Sequence, residues 1–324
     1  MATIRERAGR WQVIVKRKGY PQQSKTFDLR KDAEKWGRQQ ERQMDAGQWV
    51  DRTEAEQTTL AKLFDRYARE ISSTKRGKDA ELYRIEQFKR SDLAKYSPAA
   101  VTGQLISAWR DARLGEVSSG TVLREMQLLS HLFSVAMREW GIALHSNPVN
   151  LVRKPAPGKA RDKVLTDAQR EALLLACGQC KNPWIKPVVQ FALETATRRG
   201  EILSLSWAHV DLERCTAGVD GKTGARVIPL SANCVAMLRD LPRSLNGQVF
   251  PVTIETLKQA YERAVVRAGI AGFNFHDLRH DALTRLAKRG LSILELRSIS
   301  GHTTANMLQR YVSIDPGELA RKLG

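Results

Sequence analysis

Apolar and polar residues alternate near the start of the chain and then change to a helical spacing. Residues 11–15 alternate as a half-buried strand does, and residues 25–29 form a further strand-like stretch after a glycine and a proline. Residues 31–45 place apolar side chains three and four positions apart, which is typical of an amphipathic helix. The pattern predicts a small β-β-β-α unit over residues 1–52.

The helical spacing continues through the middle of the chain. Residues 60–71 and 82–88 each carry one apolar stripe, and the Ser-Pro pair at 97–98 has the chemistry of a helix start. The longest helix is expected over residues 119–140, where a glycine follows the last apolar position. The pattern predicts an all-helical domain over residues 56–152.

The remainder of the chain begins with a basic segment. Residues 153–163 combine two prolines and a glycine with basic side chains, which predicts an extended linker. A capping box at 166–169 then opens a mostly helical region, interrupted by a hairpin with strands at 216–219 and 226–230. We therefore predict a multidomain, mainly α protein whose last domain, residues 164–324, is mixed α+β with a small antiparallel sheet.

Length and charge narrow the range of functions that fit the chain. At 324 residues the chain suggests two or three domains, and its net charge of +18 is spread over all of them. Charge distributed in this way is typical of a protein that contacts a long polyanion such as duplex DNA, although a solubility surface or other acidic partners fit it equally well. Four cysteines without a metal-site pattern, no membrane-length apolar run and no export signal predict a cytoplasmic protein with reduced thiols.

Basic side chains of the first unit and of the linker are candidates for DNA contacts. In the first unit an ordinary solvated sheet face explains them equally well. The candidates are Arg5, Arg7, Lys16, Arg17, Lys18 and Lys25 in the first unit, and Arg153, Lys154, Lys159, Arg161 and Lys163 in the linker.

Two polar features of the last domain precede its C-terminal helices. Arg198 and Glu201 lie three positions apart at the start of a helix predicted over residues 195–207, where the carboxylate can orient the guanidinium for a phosphate. Lys222 lies at the tip of the predicted hairpin, from which a flexible ammonium can reach a substrate. Taken singly, these residues are an ordinary helix ion pair and a turn lysine.

The C-terminal region adds histidines, an arginine and a tyrosine. His276 and Arg279 share one helix face, and His302 follows Gly301, which is expected to end the preceding helix. Tyr311 comes nine residues after His302. A phenol oxygen can attack a phosphodiester, and cationic and imidazole groups stabilise the transition state. Alone, Tyr311 fits a core tyrosine, but the joint order Arg, Lys, His-x-x-Arg, Gly-His, Tyr favours an active site.

These motifs resemble those of the tyrosine site-specific recombinases of the phage integrase family, and the resemblance covers the full chain. Residues 195–201 resemble the first arginine box and Lys222 the hairpin lysine. Residues 276–279 resemble the HxxR box, residues 301–302 the GH pair and Tyr311 the nucleophile. Residues 1–50 resemble an arm-binding domain, and residues 129–149 the end of a core-binding domain. Ala196 replaces a usual glycine and Ser300 a usual leucine, and we expect the alanine to affect how Arg198 is presented.

The resemblance implies DNA strand exchange through a 3′-phosphotyrosyl intermediate at Tyr311, without metal, cofactor or ATP. It implies that His276 accepts the phenol proton, that Lys222 protonates the leaving oxygen, and that Arg198, Arg279 and His302 bind the phosphate. The implied partners are double-stranded attachment sites of a phage or other mobile element, a homotetramer, a host bending factor and a directionality factor. The alternatives are a type IB topoisomerase and a catalytically silent DNA-binding regulator.

Overall fold

The computed structural model describes residues 2–75, 77–158, 161–221 and 224–312. The chain divides into two compact units, residues 1–159 and residues 160–324. Two predicted functional residues, Lys159 and Lys222, lie outside the described residues, as does the tail from residue 313. Among the described residues, no helix is both long and apolar enough to cross a membrane.

The first unit begins with a sheet covered on one face by a helix. Its strands pair antiparallel in the order β1-β2-β3. Val13 and Val15 of the central strand are fully buried and form the centre of a small apolar cluster with residues of the following helix. The elements are β1 (Thr3–Arg7), β2 (Arg10–Val15), β3 (Gln23–Phe27) and α1 (Arg30–Asp45).

In the part of the first unit that the structure describes, five further helices enclose a separate core. Phe88 stacks between Phe64 and Trp109, with ring centroids 5.0 and 4.8 Å away, and Leu129 and Phe133 of the longest helix are fully buried. The helices are α2 (Thr53–Gln57), α3 (Leu60–Glu70), α4 (Lys78–Lys89), α5 (Gly103–Leu114) and α6 (Ser119–Arg138).

The prediction that a helix starts at Ser97 is wrong. Pro98–Ala100 form only a short 3-10 turn, and α5 begins five residues later than its predicted first position. The helix starts there because the side chain of Thr102 accepts a hydrogen bond from the backbone N–H of Leu105, at 3.3 Å.

The second unit is mostly helical and contains a three-stranded antiparallel sheet in the order β4-β5-β6. The predicted capping box of Thr166 and Gln169 is present at the start of its first helix. Its helices are α7 (Asp167–Gly178), α8 (Ile185–Thr195), α9 (Arg199–Leu203), α10 (Ala232–Asp240), α11 (Ile254–Arg267), α12 (Phe275–Lys288) and α13 (Ile293–Ser300), and its strands are β4 (Val210–Asp211), β5 (Thr216–Val219) and β6 (Arg226–Pro229).

The helix predicted over residues 195–207 is shorter than expected. Thr195 ends α8, and α9 ends at Leu203. The chain then becomes extended, because the carbonyl of Leu205 accepts a hydrogen bond from the N–H of Val249, at 2.9 Å. A pairing with such a distant segment is not visible in the local spacing of apolar residues.

A buried carboxylate joins α12 to the start of α7. Asp281 is fully buried and accepts hydrogen bonds from the backbone N–H of Leu165 at 2.9 Å, from Arg285 at 3.0 Å and from Arg170 at 3.3 Å. Three donors, two from the start of α7 and one from α12 itself, satisfy a charge that would otherwise be costly to bury. This contact fixes α12, the helix that carries His276 and Arg279.

We predict that Asp281→Ala lowers the free energy of unfolding of the second unit by about 3 kcal/mol, because buried cationic partners lose their carboxylate. Urea unfolding followed by circular dichroism measures the change. The matched control is Asp167→Ala, since Asp167 also pairs with Arg170 but its side chain is 95% exposed. It should cost less than about 1 kcal/mol. Equal losses for the two variants would contradict the assignment.

Candidate active site

Three arginines meet at the C-terminal end of α13. Arg226 donates from Nε to the carbonyl of Ile299 at 2.9 Å, and Arg279 donates from Nη2 to the carbonyl of Ser300 at 2.7 Å. Arg198 donates from Nη2 to the carbonyl of Gly301, at 3.1 Å. The last carbonyls of a helix lack partners within the helix and carry partial negative charge, so they attract cations. We call Ile299, Ser300 and Gly301 the carbonyl turn.

Gly301 occupies a position in the carbonyl turn that requires glycine for two reasons. Its φ of +64° lies in the left-handed region, and it ends α13 as the sequence predicted. A Cβ at this position would come within 3.0 Å of Nη1 of Arg226. A side chain here would therefore displace the arginine.

Glu201 neutralises part of this positive charge. Its carboxylate accepts hydrogen bonds from Arg198 at 2.8 Å and from both terminal nitrogens of Arg226, at 3.0 and 2.8 Å. Burial disfavours the charged carboxylate, but the hydrogen bonds from Arg226 and then Arg198 outweigh that effect and lower the pKa of Glu201 to about 2. The predicted pairing of Arg198 with Glu201 is confirmed by these contacts.

Arg279 is the most enclosed cation of the site. Its exposed fraction is 4%, and its Nη1 donates to the carbonyl of Ala196, at 2.8 Å. Burial lowers the pKa of Arg279 to about 10, and the positive charge of Arg198 adds to the effect. The guanidinium remains protonated at neutral pH.

Ala196 shows where the unusual alanine matters. It caps the C-terminus of α8 with a φ of +54°, a left-handed conformation in which glycine would be unstrained. The carbonyl presented by this turn is the one that accepts from Arg279. The turn is therefore kept in spite of the Cβ, at a cost of roughly 1–2 kcal/mol.

His302 follows the carbonyl turn and lies against Arg279. Its Nδ1 is 2.7 Å from Oγ of Ser300 and 3.3 Å from Nη2 of Arg279. Burial, followed by the charges of Arg279 and Arg198, lowers the pKa of His302 to about 4. The imidazole is therefore neutral at pH 7.

A cavity of about 620 Å³ opens beside these groups. Its walls include Arg198, Arg199, Lys258, His276 and Arg279. His276 is exposed at its rim, as expected near the start of a helix. Desolvation by neighbouring protein atoms and the charge of Arg279 lower the pKa of His276, so this imidazole can accept a proton at neutral pH. The cavity combines cations with a proton acceptor.

Tyr311 lies in a short 3-10 turn against α12. Its ring meets His280 edge to face with centroids 4.9 Å apart, and the ring of His302 is 6.4 Å away. Arg310 donates to Nε2 of His280 at 3.1 Å, and Thr284 lies 3.2 Å from Nδ1. The structure thus places the tyrosine beside His280, whereas the proton acceptor expected from the sequence is His276.

The sequence did not single out Arg226 or His280. Arg226 is the first residue of β6 and has no motif of its own, and its role depends on contacts with Glu201 and the carbonyl turn. His280 directly follows Arg279 and completes the stretch HDLRH, which was a signal that could have found it.

The predicted DNA-contact residues of the first unit do not share one surface. Arg5 and Arg7 point away from α1, because they pair in register with Gln12 and Arg10, which alternate along β2 with the buried Val13 and Val15. Lys25 pairs with Val13 and therefore lies on the opposite face of the sheet. The remaining three, Lys16, Arg17 and Lys18, lie in the turn between β2 and β3, where Arg17 pairs with Asp45.

The linker candidates also differ among themselves. Arg153 and Lys154 are exposed. Arg161 pairs with the buried carboxylate of Asp277 at 2.7 Å, and Lys163 donates to the carbonyl of Ala271 at 2.8 Å. The side chains of Arg161 and Lys163 therefore form their contacts within the second unit.

Comparison with known proteins gives a consistent result. The phage integrase family model matches residues 163–318. The shufflon-specific DNA recombinase of Escherichia coli is 37% identical over 82% of this chain and 71% of its own length. Tyrosine recombinase XerA of Saccharolobus solfataricus is 26% identical over 69% of this chain and 78% of its own length.

A solved structure shows the same fold. The lambda integrase, crystallised as a tetramer bound to a Holliday junction, aligns with a TM-score of 0.69 at 20% identity over 94% of this chain and 93% of that one.

We predict that Glu201→Gln lowers the free energy of unfolding at pH 7 by roughly 3 kcal/mol, because two arginines lose a buried carboxylate. The folded-state pKa of Glu201 is depressed from 4.5 to about 2, so its contribution is present above pH 4.5 and lost as pH falls to 2. The two proteins should therefore converge in stability over that range.

Urea unfolding at several pH values measures this difference. Glu213→Gln is the control, because Glu213 is exposed in the same unit. A constant difference between wild type and Glu201→Gln from pH 6 to pH 3 would show that Glu201 is not held as a carboxylate by the arginines.

Proposed function

The chain belongs to the phage integrase family of tyrosine recombinases, and from this membership we propose that it exchanges DNA strands between two recognition sites through a covalent bond at Tyr311. The observation that carries the proposal is the convergence of Arg198, Arg279 and His302 on one turn, with Tyr311 packed beside them. Mobile-element integration and excision is the reaction we assign, since residues 1–50 resemble an arm-binding domain.

Binding of the scissile phosphate is assigned to Arg198, Arg279 and His302. The arginines are already oriented by carbonyl groups and by Glu201, so little reorganisation is needed when charge develops on the non-bridging oxygens. His302 is neutral and acts there as a hydrogen-bond donor.

The covalent step keeps the energy of the broken phosphodiester bond in a phosphotyrosyl bond. The phenol oxygen of Tyr311 attacks phosphorus, its proton passes to His276, and the bond from phosphorus to the 5′ oxygen breaks. Lys222, which lies outside the described residues, gives a proton to that oxygen. The 3′-phosphotyrosyl bond is then attacked by a 5′ hydroxyl of the partner duplex, which releases Tyr311. The phenol oxygen and the 5′ hydroxyl oxygen supply the electron pairs for the new bonds to phosphorus. ATP, a metal and a cofactor are therefore not needed.

Recognition of DNA is assigned to both units. The open face of the first sheet presents Arg5 and Arg7, and the exposed linker residues Arg153 and Lys154 suit backbone contacts. Lys16, Lys18 and Lys25 remain candidates on other surfaces of the unit. We propose that four further residues contact the DNA once the protein has bound it. They are Arg17 near the sheet edge, and Lys159, Arg161 and Lys163 of the linker.

Strand exchange between two duplexes requires four active sites, so a homotetramer on synapsed DNA is proposed. A host bending factor and a directionality factor are proposed accessory partners, and the reaction takes place on DNA in the cytoplasm. A type IB topoisomerase and a silent regulator are not favoured, because the relatives are named as recombinases and integrases and the site retains its arginines, histidines and tyrosine.

We predict that Tyr311→Phe abolishes the covalent protein–DNA adduct, lowering cleavage to less than about one thousandth, because the nucleophilic oxygen is gone. A nicked suicide duplex carrying the cognate core site traps the adduct for gel analysis. Binding of the duplex should change less than about twofold. Tyr83→Phe, at an exposed position of the first unit, is the matched control and should cleave normally. Cleavage by Tyr311→Phe would exclude Tyr311 as the nucleophile.

A second prediction separates recombination from relaxation. With two cognate sites on one plasmid, the wild-type protein should yield strand-exchanged products, because a 5′ hydroxyl of one site attacks the phosphotyrosine at the other. Agarose gels and sequencing of the junctions detect the products. Relaxed plasmid with adduct but without exchange would instead support the topoisomerase.

A further inference from the structure

Ser300 stands where the resembled family usually has leucine, and its side chain is fully buried. A buried hydroxyl is unfavourable unless it forms a hydrogen bond. The partner in this structure is His302, whose Nδ1 lies 2.7 Å from Oγ of Ser300. The unusual residue therefore contacts a group of the active site directly.

Arg279 does not decide between the two ring nitrogens of His302. Its Nη2 lies 3.3 Å from Nδ1 and 3.5 Å from Nε2, and a guanidinium can only donate. The position of the imidazole proton therefore depends on the hydroxyl of Ser300, which contacts Nδ1.

The hydroxyl of Ser300 decides the direction of this hydrogen bond. If Nδ1 carried the proton and donated to Oγ, the hydroxyl proton of the fully buried Ser300 would need a different acceptor. When the hydroxyl donates to Nδ1, its proton is satisfied by the contact that the structure shows. This contact places the single proton of the neutral imidazole on Nε2.

We propose that Ser300 is a positioning residue that holds His302 in the Nε2–H tautomer, so that Nε2 donates to a non-bridging oxygen of the scissile phosphate. The second part of this statement rests on the proposed function, whereas the tautomer is a property of the free protein. The low pKa of His302 supports it, because the ring then carries only one proton at neutral pH.

Two features of the carbonyl turn help Ser300 act in this way. The backbone carbonyl of Ser300 accepts from Arg279 at 2.7 Å, so the residue is fixed through its main chain as well as its side chain. Gly301 then turns the chain with a φ of +64°, which brings His302 back toward the hydroxyl two residues earlier. A leucine at position 300 would remove the hydroxyl that contacts Nδ1, and Arg279, at similar distances from both ring nitrogens, would favour neither tautomer.

The test combines a spectroscopic and a kinetic measurement on the full chain. Nitrogen-15 NMR of labelled histidines reports the tautomer, and His302→Gln identifies the signals of His302. We expect the wild-type protein and Ser300→Thr to show a protonated Nε2. Ser300→Ala and Ser300→Leu should show a mixture of tautomers.

The rate of covalent adduct formation on the suicide duplex should fall about tenfold in Ser300→Ala and recover in Ser300→Thr, with DNA binding unchanged. Ser298→Ala is the matched control, since Ser298 is exposed on the same helix. Thermal unfolding checks that each variant folds. If Ser300→Ala does not fold, Ser300→Leu and the wild-type spectrum still test the tautomer.

A wild-type spectrum with the proton on Nδ1 would overturn the proposal, as would an unchanged tautomer and rate in Ser300→Ala. These results are distinguishable from failure of the proposed function. If the wild-type protein forms no adduct but shows the Nε2–H signature, which is lost in Ser300→Ala, the function is wrong and the assigned hydrogen bond stands.

Discussion

The active site depends on the capture of the carbonyl turn by three arginines. Carbonyls of residues 299, 300 and 301 each accept from a different arginine, and the arginines come from the start of α9, from β6 and from α12. Like charges at such short range would repel one another. The helix end supplies partial negative charge and Glu201 supplies a full one, so the cluster is tolerable in a partly buried site. Sheet and helices are thereby connected at the candidate active site.

The same charge cluster determines the state of the imidazoles. Burial and neighbouring arginines lower the pKa of both His276 and His302, which leaves one ring able to accept a proton and the other able to donate a hydrogen bond without carrying charge. The arginines are held in place by carbonyl groups and by Glu201, and cations oriented in this way suit the phosphate binding that we propose for the site.

Much of the site could be predicted because its members lie in short motifs. The spacing of Arg198 and Glu201, the HxxR box and the glycine before His302 each follow from local helix geometry, and the contacts agree with them. Residues whose role depends on distant partners were missed. Arg226 reaches Ile299 across 73 positions, and His280 meets a tyrosine that follows it by 31, so neither role is visible in a local pattern.

The sequence by itself predicted the recombinase chemistry of the protein, the order of its elements and most of the residues that we propose to act on phosphate. Those features depend on periodicity, capping and motifs within about ten residues. Only the tertiary structure decided which carbonyls orient the arginines, which face of the first sheet carries Lys25, and what Ser300 does. The physical reason is that hydrogen bonds and strand register between distant segments depend on how the elements pack. The contact from Arg198 to the carbonyl of Gly301 joins residues 103 positions apart.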